Sequence, residues 1–302
     1  MHLHDKTRCF LVITGFIMEE FIMYNEIFDQ ITLAAKKRNL RDSTITTYCR
    51  SVAHFLTRIQ KDPALLAFDD VDIFLTEKRL SGISPATYNH YHAGIRFYYK
   101  KVLKINWDDD DIPRMKPDRK IPVVLSKEEI SAVLNATSNL KHKAIIATIY
   151  SGGLRASEAV HLHYEDISRK SKTIYIRSSK SRSDRYTILA ERTLDILTQY
   201  WFECGKPTGI LFPNQYTGDY LSRESVNQFF KKSAARAGIR KKVSTHCLRH
   251  SFASHLFEAG YDVRYIQALL GHRDPRSTEI YLHTSNKTLL GIKSPFDEMG
   301  GE

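Results

Sequence analysis

Four side chains able to act on a phosphate ester fall within one stretch of fewer than forty residues, STHCLRHSFASHLFEAGYDVRYIQALLGHRDPRSTEIY from Ser244 to Tyr281. His246, Arg249 and His272 can each donate a hydrogen bond to an anionic oxygen, and the phenol of Tyr281 can attack phosphorus. A phosphodiester is already negative and repels nucleophiles. Displacement at phosphorus gathers further charge on the non-bridging oxygens and on the leaving oxygen. Either a divalent metal or a set of fixed cations has to answer that charge.

The metal route finds little support in the sequence. His246 and His250 are spaced i, i+4, as on a zinc-binding helix, but Cys247 follows His246 where such a motif places a glutamate base. No paired carboxylates stand out, so the expectation is that no metal and no cofactor take part. The cationic route fits better. Arginine offers a planar fork of donors that never loses its charge. Arg155, in YSGGLRASE, and Arg249 each fall at or near an expected helix start, and His246 and Arg249 share a helix face at i, i+3. Lys180, near the tip of an expected hairpin, can protonate a leaving oxygen. Each residue alone reads as an ordinary surface or structural side chain, and the weight lies in the set. A phenol with a pKa of about 10 needs neighbouring arginines to favour its phenolate.

These residues need two kinds of framework. From Glu19 to about Leu103 the apolar spacing is helical throughout, with expected helices over 19–38, 42–59, 71–80 and 84–103, and nothing that reads as a strand. Ser84-Pro85 is a cap followed by a first-turn proline. Residues 106–122, NWDDDDIPRMKPDRKIP, hold three prolines and four successive aspartates, and read as a linker. Beyond it the spacing predicts helices from a capping box at Ser126-x-x-Glu129, then over 141–150, 191–202, 223–237, 246–259, 263–270 and 277–284. KTIYIR (172–177) and RYTIL (185–189) alternate as the two strands of a hairpin. The expected fold is therefore mainly α in two domains: a helical bundle over 19–105, a linker over 106–122, and a mixed α+β domain over 123–285 with a small antiparallel sheet. A tail, 286–302, follows.

Charge divides along the same boundary. The chain has 302 residues and a formal net charge of +11; residues 1–112 hold 15 basic and 15 acidic side chains, whereas 113–302 hold 30 and 19. The half carrying the unusual motif thus carries the whole excess, which points to a polyanionic partner. In the first half Arg41, Arg50, Arg96 and Lys100 are the candidates for phosphate contact, joined by Arg182 in the hairpin. The four cysteines are scattered without a CxxC pair and read as free thiols of a reducing compartment. The apolar run in residues 1–18 is too short to span a bilayer and lacks a cleavage site. It reads as a disordered leader, or as a result of an upstream start with Met18 or Met23 as the alternative.

The ordered motifs resemble those of the tyrosine recombinases of the phage-integrase and Xer type, over roughly residues 20–285. Tyr150–Glu158 is similar to the first arginine box, which implies a catalytic Arg155 supported by Glu158. SKSRSDR (179–185) is similar to the hairpin of the catalytic lysine and places it at Lys180. His246-Cys-Leu-Arg249 resembles the H-x-x-R box, and Leu270–Tyr281 resembles the last box, with His272 and the nucleophile Tyr281 nine residues apart.

The resemblance implies a SAM-like core-binding bundle and a catalytic domain that clamp duplex DNA in the cytoplasm, at the nucleoid. It implies cleavage through a 3′-phosphotyrosyl link, exchange through a Holliday junction, and no need of metal or ATP. Self-association as a tetramer on two DNA sites follows, with a second recombinase or an accessory DNA-bending protein as further partners and no membrane. The tail, with Leu289, Leu290, Ile292 and Phe296, fits docking on a neighbouring copy as well as packing on its own domain. Two rival readings stand beside this one: relaxation of supercoils in the manner of a type IB topoisomerase, and a catalytically silent DNA-binding regulator.

Overall fold

The computed structural model describes residues 24–116, 122–177, 184–271 and 294–297. Lys180, Arg182, His272 and Tyr281 lie outside them. The chain forms two compact units, Met1–Lys120 and Ile121–Glu302, each built around its own apolar core. The expected mainly helical, two-part architecture with one small antiparallel sheet is what the structure has. No described helix is long and apolar enough to cross a membrane.

The first unit consists of α1 (Asn25–Lys36), α2 (Asp42–Ile59), α3 (Phe68–Leu80) and α4 (Pro85–Phe97), the last continuing as a π-helical turn over Tyr98–Leu103. In α2 the 3.6-residue spacing of Ile45, Val52, Phe55 and Leu56 buries one face. Ser84 Oγ accepts from the Thr87 amide at 3.2 Å and starts α4, with Pro85 in the first turn. α2 and α4 pack closely enough that a Cβ at Gly94 would stand 2.7 Å from Ser51 Cβ.

The acidic stretch corrects the linker reading over its first part. Trp107 and Ile112 are buried in the helical core. Asn89 Nδ2 donates to Met115 O at 2.9 Å, and the Met115 amide donates to Asn89 Oδ1 at 3.0 Å. Arg96 Nη2 donates to Asp109 Oδ2 at 2.5 Å. Two apolar anchors, outnumbered locally by aspartates and prolines, join these polar bonds and that of His92 Nε2 with Ile112 O at 2.8 Å in holding the segment on the bundle.

The second unit begins with α5 (Lys127–Asn135), where Ser126 and Glu129 exchange the expected capping hydrogen bonds. α6 (Leu140–Gly152) is apolar nearly all round and buried from Ala144 to Gly152, so it is the central helix. α7 (Ala156–Val160) follows. Strands β1 (Ile167–Ser168), β2 (Thr173–Ile176) and β3 (Arg185–Ile188) make an antiparallel sheet in that order, with Ile176 opposite Arg185 and Ile174 opposite Thr187. β1 was not expected, because two residues carry no period. The unit is completed by α8 (Glu191–Glu203), α9 (Arg223–Arg236), α10 (Thr245–Glu258) and α11 (Val263–Leu270). α8 and α10 both pack on α6.

Residues 294–297 return to this same core. Phe296 is buried, its ring edge-on to Tyr150 at 5.8 Å and under the Arg192 guanidinium at 5.0 Å. Ser294 Oγ donates to Ser151 O at 3.1 Å. Of the two placements open to the tail, these four residues take the one on their own domain.

Candidate active site

The site is assembled at the C-terminal end of α6. A helix ends with carbonyl oxygens that have no partner in the next turn. Here the first are met by the turn that follows, and the next three by distant parts of the chain. Ile149 O accepts from the Leu154 amide at 3.0 Å. Ser151 O accepts from Ser294, Gly152 O from Thr187 Oγ1 of β3 at 2.8 Å, and Gly153 O from Arg249 Nη1 of α10 at 2.8 Å. The turn requires glycine. Gly153 has φ +62°, and a Cβ there would come 2.4 Å from Phe252 Cδ1.

Arg155 caps α7, and Glu158, at the third position of that helix, reaches back to it. Glu158 Oε2 accepts from the Arg155 amide at 2.7 Å and Oε1 from Arg155 Nη1 at 2.7 Å. The carboxylate therefore holds both the backbone and the guanidinium of Arg155.

Arg249 lies under α11. Its Nη1 donates to Gly153 O, and its Nη2 donates to Leu270 O at 2.6 Å. Nη1 also stands 3.6 Å from Glu158 Oε2. Burial, and then the neighbouring Arg155, pull the Arg249 guanidinium down to about 9 from the usual arginine range, so it remains a cation at neutral pH in an environment that disfavours one.

Arg185, the first residue of β3, completes the cluster. Its Nη1 and Nη2 donate to Glu158 Oε1 and Oε2, both at 2.9 Å, and its Nε donates to Leu269 O at 2.9 Å. Burial by itself would raise the Glu158 pKa. The hydrogen bonds and charge of Arg185, with the hydrogen bonds of Arg155, outweigh it and hold the carboxyl at about 2. Three guanidiniums around one carboxylate leave a local charge of +2. The side chain of Arg155 is 28% exposed, against 10% for Arg185 and 6% for Arg249, so Arg155 offers the most open face to an incoming anion.

The structure thus brings together Arg155, Glu158 and Arg249. His246 sits in the first turn of α10, exposed, one turn before Arg249. Gly271, in the left-handed conformation at φ +63°, ends α11 and leads directly to His272. Lys180 and Arg182 belong to the connection between β2 and β3, and Tyr281 to the segment after His272; none of these side chains is among the described residues. In the first unit Arg41, at the N-cap of α2, and Arg50 are exposed, Lys100 is half-buried, and Arg96 is engaged by Asp109. Among the described residues no three His, Cys, Asp or Glu side chains group as metal ligands.

Arg185 was not singled out from the sequence. The available signal was its place in RYTIL: it alternates with Thr187, which faces the core, so a charged side chain was due on the inward face of a strand.

Comparison with known proteins adds family models and relatives. Residues 123–288 match the phage integrase family, and residues 27–109 match the phage integrase N-terminal SAM-like domain. The protein y4qK of Sinorhizobium fredii is 36% identical over 265 residues, covering 86% of this chain and 85% of that one. Tyrosine recombinase XerD of Caulobacter vibrioides is 31% identical over 283 residues, 87% of this chain and 92% of the relative. Two solved structures share the fold. The XerH site-specific recombinase bound to a palindromic difH substrate matches with a TM-score of 0.65 and 22% identity, covering 90% of this chain and 86% of that chain. The lambda integrase (residues 75–356) bound to DNA matches with 0.66 and 15%, covering 84% and 92%.

Proposed function

The chain belongs to the phage integrase family of tyrosine recombinases, enzymes of site-specific DNA cleavage and rejoining, and from that premise we propose how its own residues carry out the reaction. Tyr281 Oη attacks the phosphorus of a scissile phosphodiester in duplex DNA. The Oη–P bond forms and the P–O5′ bond breaks, giving a 3′-phosphotyrosyl link and a free 5′-hydroxyl. Arg155, Arg249 and His272 hold the two non-bridging oxygens, His246 assists proton transfer from the phenol, and Lys180 delivers a proton to the departing 5′-oxygen. Glu158 orients the arginines. The link conserves the energy of the phosphodiester, so the 5′-hydroxyl of a partner strand rejoins it by the reverse step with no ATP and no metal.

The observation that carries this reading is the single buried guanidinium of Arg249. It ties Gly153, two residues before Arg155, to Leu270, two residues before His272. The first arginine box, the H-x-x-R box and the opening residue of the last box therefore meet at one cationic cluster. A fixed donor as buried as Arg249 acts strongly on developing charge, because the local dielectric is low and no reorganisation is needed during reaction. The basic balance of the second unit supports a duplex DNA partner, with Arg182 and the exposed Arg41 and Arg50 of the first unit as further phosphate contacts.

Exchange of two strands in turn calls for four copies of this chain on two DNA sites, passing through a Holliday junction. A second recombinase or a DNA-bending protein joins that assembly where the site is asymmetric or must be bent. Such an enzyme acts at the nucleoid.

The test uses a nicked suicide duplex built on the sequence that the protein itself selects from a random DNA pool. The protein should form a covalent adduct with it in chelator and without ATP, and Tyr281→Phe should bind but form none. Cleavage that requires magnesium overturns the mechanism. Relaxation of plasmid without site preference favours the topoisomerase reading, and binding with no adduct from the unaltered protein favours the silent regulator.

A further inference from the structure

We propose that Arg185 is a positioning residue for the cleavage step, one that keeps Glu158 from capturing Arg249 and fixes the backbone leading into His272. The proposal rests on the reading of Arg155, Arg249 and His272 as the groups that hold the phosphate.

The guanidinium of Arg185 acts on protein acceptors: Nε donates to Leu269 O and the two Nη donate to the two oxygens of Glu158. Those contacts span two elements, α7 and α11, from a third, β3. The carboxylate of Glu158 receives four hydrogen bonds, two from Arg155 and two from Arg185. That saturates it. Arg249 stands just outside this shell: its Nη1 is 3.6 Å from Glu158 Oε2, beyond hydrogen-bonding distance, and its Nη1 and Nη2 are directed at Gly153 O and Leu270 O.

Without the two bonds from Arg185, the carboxylate keeps Arg155 at 2.7 Å and turns its freed lone pairs to the next cation, Arg249 at 3.6 Å. Closing that gap draws the guanidinium off the two carbonyls and neutralises the charge a phosphate needs. The same loss frees Leu269 O in the last turn of α11. Gly271 shows how tightly that turn lies over Arg185, since a Cβ there would stand 2.8 Å from Arg185 Cδ. A lysine keeps the charge of Arg185 but has one nitrogen, and one nitrogen cannot bridge both oxygens of Glu158 and reach Leu269 as well.

The experiment is a double-mutant cycle on the full chain with the selected suicide duplex, using Arg185→Lys, Glu158→Gln and the pair. It reads the single-turnover cleavage rate, the DNA dissociation constant and the melting temperature. Arg185→Lys is expected to slow cleavage by about tenfold to a hundredfold, since misplacing a positioned group by about 1 Å costs up to about 10²-fold, while DNA affinity stays within about twofold. The double variant is expected to cleave no more slowly than Arg185→Lys alone, since a neutral amide at 158 cannot capture Arg249. Arg185→Gln serves as the second variant should the lysine form fold poorly. Cleavage at the unaltered rate overturns the proposal, as do losses that multiply in the double variant or that follow loss of folded protein. Absence of an adduct from the unaltered protein is a different result and overturns the reading beneath it.

Discussion

Arg249 Nη2 donates to the carbonyl oxygen of Leu270 at 2.6 Å, so the H-x-x-R box is bonded to the backbone that opens the last box. That one contact makes α10 and α11 a single support for the residues that flank it.

Replacing Arg249 by lysine removes the fork that spans Gly153 O and Leu270 O. Losing a fixed donor of this kind costs about 10²–10³ in rate in comparable sites. Single-turnover cleavage by Arg249→Lys should fall by about that factor with little change in DNA affinity. Stability should fall by about 1.5–3 kcal/mol, since a charge-assisted hydrogen bond is lost at a buried carbonyl. A melting curve and a gel-shift titration beside the cleavage assay check both parts.

Glu158 sets the acid response. Its carboxyl is held at about 2 in the folded protein, below its value in an unfolded chain of about 4.3. A depressed carboxylate contributes stability that is present above the unfolded pKa and is lost as pH falls through the folded one. The contribution is on the order of 3 kcal/mol and should disappear between about pH 4.5 and pH 2. Denaturant unfolding of the isolated protein across that window should show a shallower loss for Glu158→Gln than for the unaltered chain. Equal slopes would mean that other carboxylates govern the acid limb.

Phe296 is fully enclosed by its own domain, between Tyr150 and Arg192. Phe296→Ala should therefore destabilise the monomer by about 3–5 kcal/mol, the range for truncating a buried phenylalanine. The melting temperature should drop in dilute protein without DNA. A variant as stable as the parent under those conditions would show that the ring gains its burial elsewhere.

The sequence showed most of what has a period or a cap. The Ser126–Glu129 box starts α5 as expected, and α11 has the predicted bounds, because one apolar face and a terminal glycine define them. The hairpin strands were legible from alternation, and β1 was not, since a pair of residues alternates with nothing. Trp107 and Ile112 were hidden because the acidic run around them dominates composition, whereas packing depends on single side chains and on backbone carbonyls that bond back to the bundle. Arg155 and Arg249 could be picked out by type and spacing, and Glu158 through the resemblance of its box to the family's first arginine box. Arg185 could not, because its role lies in the distances to Glu158 and Leu269, residues 27 and 84 positions away in the chain.

The most direct measurement is to map the amino acid joined to DNA. Adduct trapped on the suicide duplex is digested with protease and nuclease, and the peptide bearing the residual nucleotide is sequenced by mass spectrometry. The modified residue should be Tyr281, linked to the 3′-phosphate, with a free 5′-hydroxyl on the released strand. A nucleotide on any other residue, or a link to the 5′ end, would contradict the account.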